Sequence, residues 1–524
     1  MEFYGEFIQQ CDRSKPERNG GSFRITEKQV KAQSKDGEVS VVATSPDSPE
    51  SACAEIARLA RDLLKKGKVA DPNQITFLYP SLKTVQVGRM IKALEDVGLK
   101  VYAPRANPFL KVDEAVALFG VFLRLFGRPE KGDYSGKDYD AFHDWLDNCQ
   151  AKADELLADD PALVRFIRER QREIETVIAD HAALQATLAS EGWSRQTSFA
   201  LGTMLPALLA TEGLSTKARR SLKNEHLARL SRSRPVTLGY VLQRTASLDW
   251  TPLDLFYRLC GFRHFKAMLD LAETGGDEGP ICNLSQLSRY LARFQDEFVS
   301  TLTGQVLANG LFRLVFFMSF LYPLFRRGET ENEDEENPFP RGRIPFLTIH
   351  QAKGLEFPVV VLGNPHRHNR GPQTVEKLVY PLLKRKGEPL DRMAEFDLMR
   401  LFYVALSRAQ NLLVIAHFSG PGQKISPPFE GLLHRLPRIA DLDMRTVPTA
   451  RQIASDLPHT YSYTADYLSY LRCPRQYMIF RRYDFAPSRA QTMLFGSLVH
   501  QTIEDLHQHL IAAKRRAGAS QTKP

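Results

Sequence analysis

The feature that most constrains the fold is the run Val359-Val360-Val361-Leu362, which follows a compact polar stretch. A half-exposed strand alternates apolar and polar residues. An unbroken apolar run needs cover on both faces, as in a parallel sheet between two layers of helices. Leu412 to Ile415 is a second run of this kind. Upstream, VSVVAT lies within residues 37–45, and Ala52 to Leu64 is an amphipathic helix. Strand ITFLY (75–79), helix VGRMIKALEDVG closed by Gly98, and strand LKVYA follow. This alternation is α/β. From about 127 to 337 the pattern turns helical throughout, as in VRFIRERQREIETVIADHAALQATL. The acidic stretch ETENEDEEN (329–337) then leads back to α/β at Ile344. The expected organisation is one parallel-sheet domain split into 39–126 and 340–445, with an all-helical insertion at 127–339. A polar lead-in at 1–38, disordered or a remnant, and a separate segment at 455–524 complete it.

Two polar clusters adjoin the apolar runs. The first holds Thr348, His350, Gln351, Lys353, Gly354 and Glu356; the second holds Arg400, Ser407 and Arg408. Polar groups bunched at the ends of buried strands in an α/β sheet are where ligands bind. Gly354 lets backbone approach a ligand closely. Lys353 offers a point charge suited to phosphate. Glu356 can accept hydrogen bonds from hydroxyls such as those of a ribose. Thr348 and His350 can donate to a phosphodiester backbone. Arg408, at a helix–strand junction, can reach a cleft and stabilise charge on a phosphoryl group in transfer. Taken singly, Lys353 as a solvated loop lysine and Arg408 as a surface residue are the ordinary readings. The joint pattern favours a ligand.

The string TIHQAKGLEFPVVVL resembles motif V, and RLFYVALSRA motif VI, of the UvrD/RecB/PcrA-like superfamily 1 DNA helicases. ITFLYPS (75–81) is similar to the first strand of that family's second RecA-like domain, and residues 93–126 to the segment leaving it for a helical insertion. The resemblance implies ATP-dependent 3′–5′ translocation on single-stranded DNA and unwinding of duplex, in repair or recombination. It implies that Lys353, Gly354 and Glu356 face the triphosphate and ribose of ATP. Thr348 and His350 would touch DNA, and Arg408 would be the arginine finger on the γ-phosphate. Arg400 is left with two roles, support of the motif by ion pairing or a direct part in function.

A motor of this kind also needs a P-loop, G-x-x-x-x-G-K-[ST]. Gly67-Lys68 is followed by Val69 and Gly136-Lys137 by Asp138, so neither qualifies. Asp113-Glu114 reads as an acidic helix start, favoured by the positive dipole end, rather than a Mg²⁺ site. The expectation is therefore one wall of an ATP site. ATP and Mg²⁺ would bind productively only when a P-loop-bearing RecA-like domain supplies the other wall. Two rivals stay open: a non-catalytic DNA-binding or partner protein completing the ATP site of another chain, and a truncated, inactive fragment.

The formal net charge of +9 is a mild basic bias consistent with nucleic acid. Between Lys217 and Arg234, Arg219, Arg220 and Lys223 belong to a basic run that would grip duplex phosphates. A solvated helix face is the alternative. The six cysteines form no CxxC pair, which fits a reducing cytoplasm, and the N-terminus has no signal-peptide apolar core. The apolar stretch Gly310 to Phe325 contains Arg313 and Pro323 and reads as a buried core helix, not a membrane span. Finally, YSYTADYLSYLRCPRQYMIFRRY and LFGSLVHQTIEDLH resemble the opening of RecB-like PD-(D/E)XK nuclease domains. That resemblance makes His500 a candidate metal ligand, against a plain helix histidine beside Glu504. No later strands carry the acids and Lys such a centre needs. Cys473 reads as a packed thiol, with no iron–sulfur cluster expected.

Overall fold

The computed structural model describes residues 2–10, 40–45, 48–103, 109–130, 136–224, 227, 235–327, 339–366, 371, 373–383, 388–390, 392–418, 425–450 and 461–488, with short pieces of 502–511. Six strands form one sheet: β1 (Val41–Ala43), β2 (Ile75–Tyr79), β3 (Val101–Tyr102), β4 (Ile344–Thr348), β5 (Phe357–Leu362) and β6 (Ala409–Ile415). Their order is β1-β6-β5-β2-β4-β3, and every pairing is parallel.

Strand periodicity sorts side chains between two cores. Ile75, Phe77, Tyr79, Val359, Val361, Leu412 and Val414 pack on one face with the helices Pro49–Lys65 and Val85–Asp96. Leu78, Val360, Leu362, Leu413 and Ile415 pack on the other, against the helix Met393–Leu406. The unbroken apolar runs are thus explained by two covered faces. Helix Pro49–Lys65 starts where it does because the Ser48 side chain accepts from Ser51 N and proline occupies its first turn.

Two packing details depart from the expected boundaries. Residues 2–9 form a helix, not a disordered lead-in. Phe7 is fully buried in the second core, its ring 4.7 Å from that of Phe429. Helix Asp113–Phe126, expected with the sheet, lies in the helical core instead, packed around Phe142, Trp145, Phe294 and Phe316. A helix apolar on all sides needs cover all round, and one sheet face cannot give it.

Between β3 and β4 the described elements are helices. An acidic pair ties this helical body to its neighbours. Asp277 accepts from Lys100 Nζ (2.8 Å), which precedes β3, and from Arg343 Nε (2.9 Å), which precedes β4. Glu278 accepts from Arg482 (2.7 Å) and Tyr483 (2.8 Å) in the C-terminal segment. Burial raises the Asp277 carboxyl, but the bonds from Arg343 and Lys100 outweigh it and hold the group below its usual range. No helix among the described residues is long and apolar enough to cross a membrane.

Candidate nucleotide-facing site

The loop from β4 to β5 begins with a local lock. Thr348 donates from both its backbone N (2.8 Å) and its hydroxyl (3.0 Å) to Gln351 Oε1, and the hydroxyl accepts from Gln351 N (3.3 Å). This closed turn fixes the chain direction after β4. It also occupies the Thr348 hydroxyl, so that side chain shapes the loop instead of reaching outward as expected. Ile349 N donates to Tyr79 O (2.9 Å), and Ile349 and Ala352 are buried. His350 and Lys353 are exposed between these anchors. Gly354 has φ of +89°, and a Cβ there would meet nothing within 4 Å. Backbone conformation, not crowding, demands glycine at this point.

Arg408 sits where helix Met393–Leu406 hands over to β6. Its carbonyl accepts from Phe357 N (2.9 Å), joining the starts of β5 and β6. The guanidinium lies across the junction: Nε donates to Val404 O (3.1 Å), Nη2 to Ser407 Oγ (2.8 Å) and Nη1 to Leu355 O (2.9 Å). The last bond pins it against the loop that carries Gly354 and Glu356. A guanidinium has five N–H donors. Those three bonds leave two, and Arg408 makes no ion pair among the described residues. Beside it, exposed Glu356 accepts from Gln410 Nε2 (3.2 Å), bridging the same two strand starts.

Register separates the expected site residues into two groups. Phe77 aligns with both Phe346 and Val361, while Phe357 aligns with Ala409. Thr348 is two residues beyond Phe346, and Phe357 is four before Val361. The two levels are therefore about 20 Å apart at a strand rise of about 3.3 Å per residue. Thr348 and His350 lie at the carboxyl end of the sheet; Glu356 and Arg408 lie at its amino end. The loop runs back along the sheet before β5 starts, and it spreads its polar residues over that distance.

Other expected residues have more local tasks. Arg400 makes a two-pronged bond to the buried carboxylate of Glu388 (2.7 Å to each oxygen) and pairs with Asp397 (2.5 Å), contacts of the kind the supporting role calls for. Arg219 departs from the expected phosphate-binding role. Its guanidinium donates to the carbonyls of Leu209 and Thr211, in the last turn and cap of helix Met204–Ala210, and of Leu214 beyond it. Arg220 and Lys223 are exposed. Asp113 pairs with His264 (3.1 Å) and Lys152 (2.8 Å). Those bonds, His264's foremost, hold its carboxyl at about 2, in keeping with a structural helix start. Cys473 Sγ accepts from Gln476 N as a helix cap. His500 lies outside the described residues. No group of three or more His, Cys, Asp or Glu able to hold a metal occurs among the described residues. Sequence reasoning places Ser407 in the polar cluster without a task and does not single out Gln410, which holds Glu356; its position two residues after Arg408 is the available signal.

Comparisons with known proteins bear on the family. Residues 264–420 match the UvrD-like helicase C-terminal domain. The match opens inside the helical body and runs through β4, β5 and β6. The chain is 30% identical over 128 residues, 21% of its length, to a probable DNA helicase II homolog of Mycoplasma pneumoniae. It is 25% identical over 129 residues, again 21% of its length, to one of the ATP-dependent helicase/nuclease subunits of Exiguobacterium sibiricum. These matches span 16% and 11% of the relatives' own lengths. The chain thus carries, at residues 264–420, a UvrD-like helicase C-terminal domain and has helicases among its relatives.

Proposed function

We propose that this chain forms the second wall of the ATP site in a superfamily 1 DNA helicase that moves 3′ to 5′ along single-stranded DNA. The carrying observation is the seat of Arg408: a guanidinium held by Leu355 O against the loop bearing Glu356, with two N–H groups left to donate. Such a group can stabilise charge developing on a transferred γ-phosphoryl. Glu356 would accept from the ribose hydroxyls, and Lys353 would meet the phosphates. His350, about 20 Å away at the other end of the loop by strand rise, would contact DNA together with Arg220 and Lys223. One loop would then touch nucleotide at one end and nucleic acid at the other, and closure around ATP would shift the DNA contact.

The cradle for the α- and β-phosphates and Mg²⁺ belongs to a P-loop-bearing RecA-like unit, joined in cis or in trans. Described residues fit the ribose and γ-phosphate side of the site and offer no metal cluster. ATP turnover then belongs to the pair of walls. The chain supplied without that unit should bind a fluorescent ATP analogue weakly and show no DNA-stimulated hydrolysis. Tight analogue binding, or DNA-stimulated ATPase that disappears on Arg408→Ala in the chain alone, would overturn the one-wall reading.

A further inference from the structure

Residues 461–482 present a surface that the ATP-facing site does not use. Tyr463 (68% exposed), Tyr467 (53%) and Tyr470 (53%) are among its most exposed side chains, and Tyr461 and Leu471 join them. Large aromatic side chains usually bury most of their area, so four exposed tyrosines within ten residues call for a partner. Positions 463, 467 and 470 are spaced to share one helix face. The first turn is wider than an α-helix, with Tyr467 N donating to Ser462 O (3.2 Å) five residues back. That widening brings residues four apart nearer to eclipse. The rings of Tyr463 and Tyr467 stack, with centroids 5.5 Å apart and planes 25° from parallel.

Most of the arginines in this segment are ion-paired, and one is left for an anion. Residues 461–482 contain Arg472, Arg475, Arg481 and Arg482 and a single acid, Asp466, which is buried and accepts from Arg481 and from Ser462 N. Arg475 pairs with Asp270 and Glu273, and Arg482 with Glu278, so these two tether the segment to the helical body. Arg472 is exposed and makes no ion pair among the described residues. Stacked, exposed aromatic rings on the same segment as an exposed arginine suit unpaired nucleobases joined by phosphates, and the exposed tyrosines there outnumber the exposed aliphatic residues Leu468 and Leu471.

We propose that Tyr463, Tyr467 and Tyr470, with Arg472, form a stacking platform for single-stranded nucleic acid, distinct from the β4–β5 loop. Bases lie on the tyrosine faces without sequence preference, and Arg472 meets a phosphate. The inference does not depend on the ATP-site reading.

The test uses the full chain and fluorescence anisotropy with a labelled oligothymidylate and an abasic oligonucleotide of equal length. The Tyr463→Ala/Tyr467→Ala double variant should weaken oligothymidylate binding about tenfold or more. The Tyr463→Phe/Tyr467→Phe variant, which keeps the ring faces, should bind within about twofold of wild type. Arg472→Gln should reduce the slope of log affinity against log salt by about one contact. The abasic strand should bind the wild-type chain as weakly as the double alanine variant binds oligothymidylate. Repeating the series in a His350→Ala background separates this platform from the loop, because the tyrosine effect should persist there. Unchanged affinity in the double alanine variant, or equal binding of abasic and base-bearing strands, would overturn the proposal.

Discussion

Single side chains here gain their meaning from what they touch. Arg400 and Arg408 lie eight residues apart, yet one is spent on a buried carboxylate and the other rests on carbonyl and hydroxyl oxygens. Removing Arg400 leaves Glu388 buried without its two-pronged cation. Arg400→Ala should lower stability by about 2 kcal/mol, less than a fully buried pair because Arg400 is partly exposed. A urea titration of the two proteins checks this, and Arg400→Lys should recover only part of the loss. Asp113 gives a pH signature. Its folded carboxyl is at about 2, below the unfolded value of about 3.9. Its contribution is therefore present above about pH 4 and lost as the pH falls toward about 2. The difference in melting temperature between wild type and Asp113→Asn should be largest above about pH 4, shrink as the pH falls and vanish only below about pH 2. Asp113 is half exposed, so solvent screens the effect and it should be modest.

At the scale of elements, the close approach of two helices sets the geometry of the helical body. A Cβ on Gly120 would stand 2.1 Å from the carbonyl oxygen of Cys149. Gly120→Ala must push helices Asp113–Phe126 and Lys137–Asp159 apart, at a cost of about 2 kcal/mol, read as a fall in the denaturation midpoint. The strands and the sheet class were legible, because Val359 to Leu362 and Leu412 to Ile415 state their two-sided burial locally. Local signals stop there. The helix at residues 2–9 is short, and its burial depends on Phe429, more than 400 positions away in sequence. Helix Asp113–Phe126 carries no mark of which core it joins. Arg219 looks like any residue of a basic run until the carbonyls of Leu209, Thr211 and Leu214 are placed around it. Residue type alone states the chemistry that Glu356 and Arg408 can offer. That they lie at the amino end of the sheet, away from His350, depends on strand register, which single segments do not encode.

Across the whole molecule, the loop between β4 and β5 is the element that joins two surfaces. One end is fixed by Tyr79 O and the Gln351 turn, the other by Arg408. On the proposed reading, a connection held at both ends passes a shift on the nucleotide side to the nucleic-acid side when Arg408 senses the terminal phosphate. The most direct measurement is single-strand-stimulated ATP hydrolysis by this chain paired with a P-loop-bearing RecA-like half of a UvrD-like helicase. Wild type, Arg408→Ala and Arg408→Lys would be compared. Removal of the guanidinium should lower kcat by about 10³-fold or more with little change in KM, and lysine should restore little of it. If Arg408→Ala hydrolyses ATP within a few-fold of wild type in that pair, Arg408 does not act on the phosphoryl group and the account of this site fails.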